Sequence, residues 1–187
     1  MSNNKLPTKG VLYLVSCASS AAERVPDFVK QAQTAGWDVC VITTPQGANF
    51  VDIALLTELT DHPVRSDYKR PEDPDVLPRA DAVIVFPATF NTLNKWALGI
   101  TDTLALGILC EYTGLKKPIL AVPGIHTASG LDTHPALPRS LRLLRRYGVH
   151  VLYEPEDHPP NNRIPTKRIL HILDELVSSH FQIETPH

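Results

Sequence analysis

Cysteine is scarce in this 187-residue chain: there are three, Cys17, Cys40 and Cys110. Their number is odd and no two form a CxxC pair, which argues against a disulfide framework or a zinc site and fits a reducing, cytoplasmic setting. Charge of one sign is also lacking. Eighteen Lys+Arg stand against twenty Asp+Glu, a formal net charge of -2, so no broad basic field is available for nucleic acid or an anionic membrane. The one dense basic run, Arg139, Arg142, Arg145 and Arg146, falls on a single predicted helix and reads as its solvated face. No apolar run approaches the roughly 20 residues of a membrane span, and the polar start MSNNKLPTKG has no signal-peptide core. The eight histidines make no HExxH or HxxxH pair, which argues against a metal. Neither GxGxxG nor GxxxxGKS/T occurs, so a dinucleotide fingerprint and a P-loop are both unsupported.

What is present is a repeating alternation of elements. Gly10–Ser16, Trp37–Thr43, Ala82–Phe86, Pro118–Val122 and Val149–Tyr153 are short apolar runs that end in small or polar residues, the pattern of buried parallel strands. Between them, apolar spacing predicts helices: one starting near Pro26 and stopped by Gly36, one over 48–59, a long and largely buried one over Asn91–Glu111, one over Ala136–Tyr147 stopped by Gly148, and a last one over Thr166–Ser179. Pro87–Thr89 reads as a turn. Residues 60–80, 123–135 and 154–165 are irregular and proline-punctuated, and loops this long in a small domain are usually functional. Right-handed crossovers turn the alternation into one three-layer α/β/α domain, Rossmann-like (flavodoxin-like), with a parallel sheet of about five or six strands. The expected organisation is a disordered lead over 1–9, the domain over 10–180 and a polar tail over 181–187.

Ligands of such sheets bind beyond the carboxyl ends of the strands. The three loops expected there are Ser16–Ala22, Thr43–Gly47 and Pro87–Thr92, all rich in hydroxyls and small residues and free of acids. Hydroxyls and backbone N–H groups at a helix N-terminus hold a phosphate without needing a lysine, although the same hydroxyls also serve as helix caps. Asn91 and Thr92 fall in the first turn of the predicted long helix, with Lys95 one turn on and on the same side as Asn91.

The run Pro87-Ala88-Thr89-Phe90-Asn91-Thr92-Leu93-Asn94-Lys95, followed by Gly99-Ile100-Thr101-Asp102, resembles the P-x-S/T-x-N-T-x-x-K … G-I/L-x-D signature of the homo-oligomeric flavin-containing cysteine decarboxylase family. That family includes phosphopantothenoylcysteine decarboxylase and the lantibiotic peptidyl-cysteine decarboxylases. Ala18-Ser19-Ser20-Ala21-Ala22 is similar to its Gly-Ser-x-Ala-Ala loop, and Thr44 through Phe50 to its T-x-x-A-x-x-F stretch. Ala80-Asp81 before the third strand also fits. The resemblance implies FMN, with Ala18, Ser19, Ser20, Thr44, Pro87, Ala88, Thr89, Asn91, Thr92, Lys95 and Asp102 at the cofactor site. Asp102 reads either as a structural hydrogen bond or ion pair, or as a flavin or subunit contact. The resemblance further implies a homotrimer or a multiple of trimers, and oxidative decarboxylation of a small-molecule or peptide substrate bearing a thiol or carboxylate.

Three departures bear on that chemistry. Where the family places a catalytic histidine, counting back from Asp81 reaches Asp73, with Asp75 nearby, and an aspartate is a weaker base than histidine near neutral pH. The family's P-x-M-N clamp is Pro123-Gly124-Ile125-His126 here. No cysteine follows Cys110, whereas phosphopantothenoylcysteine decarboxylase carries one in a loop after the clamp. His126, Asp73 and Asp75 are therefore the acid–base candidates. The alternatives are a flavin-binding regulatory or interaction protein that does not decarboxylate and, on fold alone, a flavin prenyltransferase.

Overall fold

Apolar strands pair in parallel where both faces of the sheet are covered, and five do so here. β1 (Gly10–Ser16), β2 (Trp37–Thr43), β3 (Ala82–Ala88), β4 (Ile119–Pro123) and β5 (His150–Val151) form one all-parallel sheet in the order β2-β1-β3-β4-β5. The computed structural model describes residues 8–70 and 72–184. Alternate residues of each strand feed two cores. Tyr13, Val15, Cys40, Val83 and Val85 pack under α3 (Phe90–Ala97), α4 (Leu104–Gly114) and α5 (Ala136–Arg146). Leu12, Leu14, Val39, Val41 and Ile84 pack under α1 (Val25–Thr34), α2 (Ile53–Thr60) and α6 (Thr166–Glu184). This is a single α/β domain of flavodoxin-like fold, as expected. Strand order reverses between β1 and β3, which opens a crevice beyond their carboxyl ends.

Several boundaries differ from expectation, each for a local reason. α1 starts at Val25 with Pro26 in its first turn, as expected, while the Ser20–Arg24 segment before it is a 3-10 turn capped by Ser19. The helix expected over 48–59 is split into a 3-10 turn, Gly47–Phe50, and α2. Asp52 is extended and caps the Leu55 N–H, so the chain restarts there. β3 continues through Pro87 to Ala88, so the expected turn at 87–89 is mostly strand. β5 is reduced to two residues, and α6 runs on to Glu184, past Ser179.

The largest correction concerns the expected single helix over Asn91–Glu111. α3 stops at Ala97, and α4 begins anew at Leu104. Gly99 takes φ +72°, its N–H bonds Trp96 O and the Ile100 N–H bonds Lys95 O. That is a Schellman stop, in which a left-handed glycine turns the chain and satisfies the last carbonyls. Thr103 then caps the Leu106 N–H and opens α4.

At the N-terminal end, Lys9 is fixed by its N–H to Gly36 O and by an ion pair with Asp174, while residues 1–7 lie outside the described residues.

Candidate functional site

The crevice between β1 and β3 is a cleft of about 580 Å³, within the roughly 300–1,000 Å³ of small-molecule sites. Four strand ends build it. Ala18 and Ser19 follow β1, Thr44 to Gln46 follow β2, Thr89 to Thr92 follow β3, and Gly124 to His126 follow β4. Its lining includes Lys95 and His126 but no acidic side chain.

The β3 side is the N-terminus of α3. Thr89 is its cap: Thr89 Oγ1 accepts the Thr92 N–H at 3.4 Å and lies 3.0 Å from Thr92 Oγ1. Among the described residues, the amides of Phe90 and Asn91 have no acceptor within the protein. Unpaired amides, two hydroxyls and the positive end of a helix dipole make an anion seat. Behind it, the thiol of Cys17 is fully buried next to Thr92 and Thr89. Burial pushes this thiol's pKa up, and the two threonines counter that only in part.

Loops meet closely at the floor. The Cys17 N–H donates to Pro87 O at 3.2 Å, and the Gly124 N–H to Ala88 O at 2.8 Å. Ser19 Oγ donates to Gly124 O at 3.2 Å. A Cβ on Gly124 would stand 2.7 Å from Pro87 Cβ and 3.1 Å from Ser19 Oγ, so the approach requires glycine.

Of the expected cofactor residues, Ala18, Ser19, Thr44, Thr89, Asn91, Thr92 and Lys95 line the cleft. Four do not. Pro87 and Ala88 are buried strand residues that act through their carbonyls, holding the loops after β1 and β4. Ser20 is turned away, and its Oγ accepts from Asn161 Nδ2 at 3.1 Å. Asp102 lies in the break between α3 and α4 and pairs with Lys95 at 2.5 Å. The lysine therefore reaches the cleft with its charge already partnered.

The acid–base candidates separate. His126 lines the cleft, exposed, with Nδ1 against Thr127 O. Asp73 and Asp75 do not line it. Asp73 accepts the Arg70 N–H, and Asp75 pairs with Lys69 at 3.1 Å. Asp75 borders a second cavity of about 310 Å³ between the 60–80 loop and α4. Among the described residues, that loop adds nothing to the cleft, whereas the 123–135 loop adds Gly124, Ile125, His126, Ser129 and Leu131.

Sequence reasoning put Gln46 and Phe90 in the ligand loops without singling them out, and missed Thr103 and Gly124 as lining residues. The signals were there for two of them. Thr103 is a hydroxyl four residues after a helix-stopping glycine, and Gly124 follows the last residue of a strand. Phe90 gave none, because its ring is set by an edge contact with His134 at 5.2 Å.

The model of the Flavoprotein family matches residues 1–179. The chain belongs to this flavoprotein family. A probable phosphopantothenoylcysteine decarboxylase of Streptococcus mutans is 28% identical over 147 residues, 75% of this chain and 80% of that protein. The coenzyme A biosynthesis bifunctional protein CoaBC of Mycobacterium tuberculosis is 34% identical over 156 residues, 81% of this chain. The chain spans only 36% of that bifunctional relative. Among solved structures, the FMN binding protein AtHal3 superposes with a TM-score of 0.73 at 22% identity, over 96% of this chain and 100% of that one. The FMN-dependent cysteine decarboxylase SpaF gives 0.73 at 22%, over 91% and 99%. The likeness to these solved structures is one of fold.

Proposed function

We propose that this flavoprotein binds FMN in the β1/β3 cleft and acts on a small thiol- or carboxylate-bearing substrate, as a decarboxylase-type oxidoreductase. The observation that carries the reading is the acid-free cradle at the point where strand order reverses. Thr44, one hydroxyl of the Thr89–Thr92 pair and the amides of Phe90 and Asn91 offer donors to a phosphate there, with Ser19 at the edge, its hydroxyl given to Gly124 O. This donor set fits a phosphate, and the Gly124 approach keeps Ser19 at its edge. Bound FMN would supply a hydride acceptor. His126, on the β4 wall, would hold a substrate carboxylate when protonated or take a proton when neutral. The names of the relatives, a cysteine decarboxylase and a phosphopantothenoylcysteine decarboxylase, support the substrate class and the cofactor. A homotrimer or a multiple of trimers belongs to the same reading.

A second reading, a flavin-binding protein that does not decarboxylate, has one observation in its favour. Asp73 and Asp75 stand away from the cleft, so of the three acid–base candidates His126 alone lines it.

One experiment separates the two. Purified protein is titrated with FMN, and the holoprotein is then mixed anaerobically with thiol carboxylates and cysteine-ended peptides. The enzyme reading expects uptake of FMN, bleaching of the flavin and release of carbon dioxide, with the bleaching and the carbon dioxide lost in His126→Ala. Uptake without bleaching across the panel would leave the second reading. Failure to take up FMN would end both.

A further inference from the structure

The loop joining β5 to α6, residues 154–165, does not line the cleft, yet it is bonded to both of its walls. Asn162 is its centre. This residue is 1% exposed and sits at φ 54°, in the left-handed region. Asparagine enters that region more readily than most non-glycine residues, and is held there only where the surroundings fix it. Here they do. Asn162 Nδ2 donates to Pro123 O at 3.0 Å and to Leu152 O at 2.9 Å, and Oδ1 accepts the Glu154 N–H at 2.8 Å. The side chain thereby ties the ends of β4 and β5 to the loop.

The flanking residues carry that tie to the two walls. Pro160 O accepts the Thr127 N–H at 2.8 Å, next to His126. On the other side, Asn161 Nδ2 donates to Ser20 Oγ, beside Ser19. Arg24 Nη2 donates to Ile164 O at 2.6 Å, and Arg163 pairs with Glu23. These contacts join the 3-10 turn after β1 to the loop after β4, two segments that otherwise meet through Ser19 Oγ and Gly124 O.

We infer that Asn162 is a positioning residue for the cofactor cleft, locking residues 154–165 as a buckle that sets the separation of the Ser19 and His126 walls. The inference rests on the reading of the cleft as an FMN site. A buckle differs from a merely stabilising loop in what it controls. Its loss moves Ser19 relative to Gly124 and so acts on the ligand, not only on the folding equilibrium.

The test compares FMN dissociation constants and apoprotein melting temperatures for Asn162→Ala, Asn162→Asp, Asn161→Ala and a control, Thr60→Ala. Thr60 is a buried residue whose hydroxyl bonds Leu56 O at the end of α2, away from the cleft. Asn162→Ala is expected to weaken FMN by about tenfold or more, the size of one lost buried contact set. Asn162→Asp keeps the acceptor for the Glu154 N–H but sets an oxygen against Pro123 O and Leu152 O, and is expected to weaken FMN at least as much as Asn162→Ala. Thr60→Ala is expected to lower the melting temperature with FMN affinity unchanged. Asn161→Ala cuts only the tie to Ser20 and keeps the test decisive if the Asn162 variants fail to fold: weaker FMN binding supports the buckle. Unchanged FMN affinity in every variant that folds would overturn it, even with lowered melting temperatures. Wild-type protein that takes up no FMN would instead remove the cofactor reading on which the inference stands.

Discussion

Thr89 Oγ1 serves the fold and, in the proposed reading, the ligand as well. It caps α3 through the Thr92 N–H, and it forms one rim of the anion seat. Removing a cap hydroxyl costs about 1 kcal/mol. Thr89→Ala is therefore expected to lose about that much stability as the apoprotein in urea titration, and to bind FMN more weakly. Thr89→Ser restores the oxygen and should recover both. A serine variant as weak as the alanine one would show that the methyl, not the hydroxyl, matters. The role of this residue was legible because it follows a strand end and precedes a helix, where hydroxyls have few other uses. Asp73 was not legible in the same way. Its expected place came from counting back from Asp81, but spacing along a proline-rich loop does not fix direction. The chain turns Asp73 toward its own Arg70 amide. Asp81 itself is structural, with its carboxylate accepting the Val11 N–H at 2.8 Å.

At the scale of elements, strands were the most readable part and helix ends the least. A parallel strand is an uninterrupted apolar run, and β1 and β2 appear with the expected bounds. The run from Asn91 to Glu111 is as apolar as one buried helix, and its apolar content hid the glycine stop. Asn94 and Lys95 sit on α3, while Asp102 lies beyond the break, free to swing back onto Lys95. That geometry depends on Gly99 at φ +72°. An added Cβ there would meet nothing within 4 Å, so any cost of Gly99→Ala is conformational, not steric. The expected loss is about 1–2 kcal/mol in urea unfolding. A neutral result would mean that the break is held by Thr103 and the Lys95–Asp102 pair alone.

For the molecule as a whole, the long 60–80 loop is anchored by polar ties and not by regular structure. Arg65 forms a short bridge to the edge of β2, Tyr13 Oη donates to Pro78 O at 2.7 Å, and the Ala80 N–H donates to Tyr112 Oη at 2.9 Å. The two phenols pack with ring centroids 5.6 Å apart. Burial holds the Tyr13 phenol well above the ordinary value of about 10, with Tyr112 and Cys40 adding to the effect. The sign of the linkage follows. Below about pH 10 the phenol is neutral in folded and unfolded chains alike, and its contribution to stability is complete. Above that, the unfolded chain sheds the proton first, so stability falls as pH rises toward the folded value. Near pH 11 the loss from this one group is about 1.4 kcal/mol. Tyr13→Phe gives up the bond to Pro78 O and should be less stable than wild type by about 1 kcal/mol near pH 8. It has no proton to lose, so the deficit should close or reverse by about pH 11 in paired urea titrations. A deficit that stays constant across that range would mean that Tyr13 ionises normally and that the loop opens before the core does.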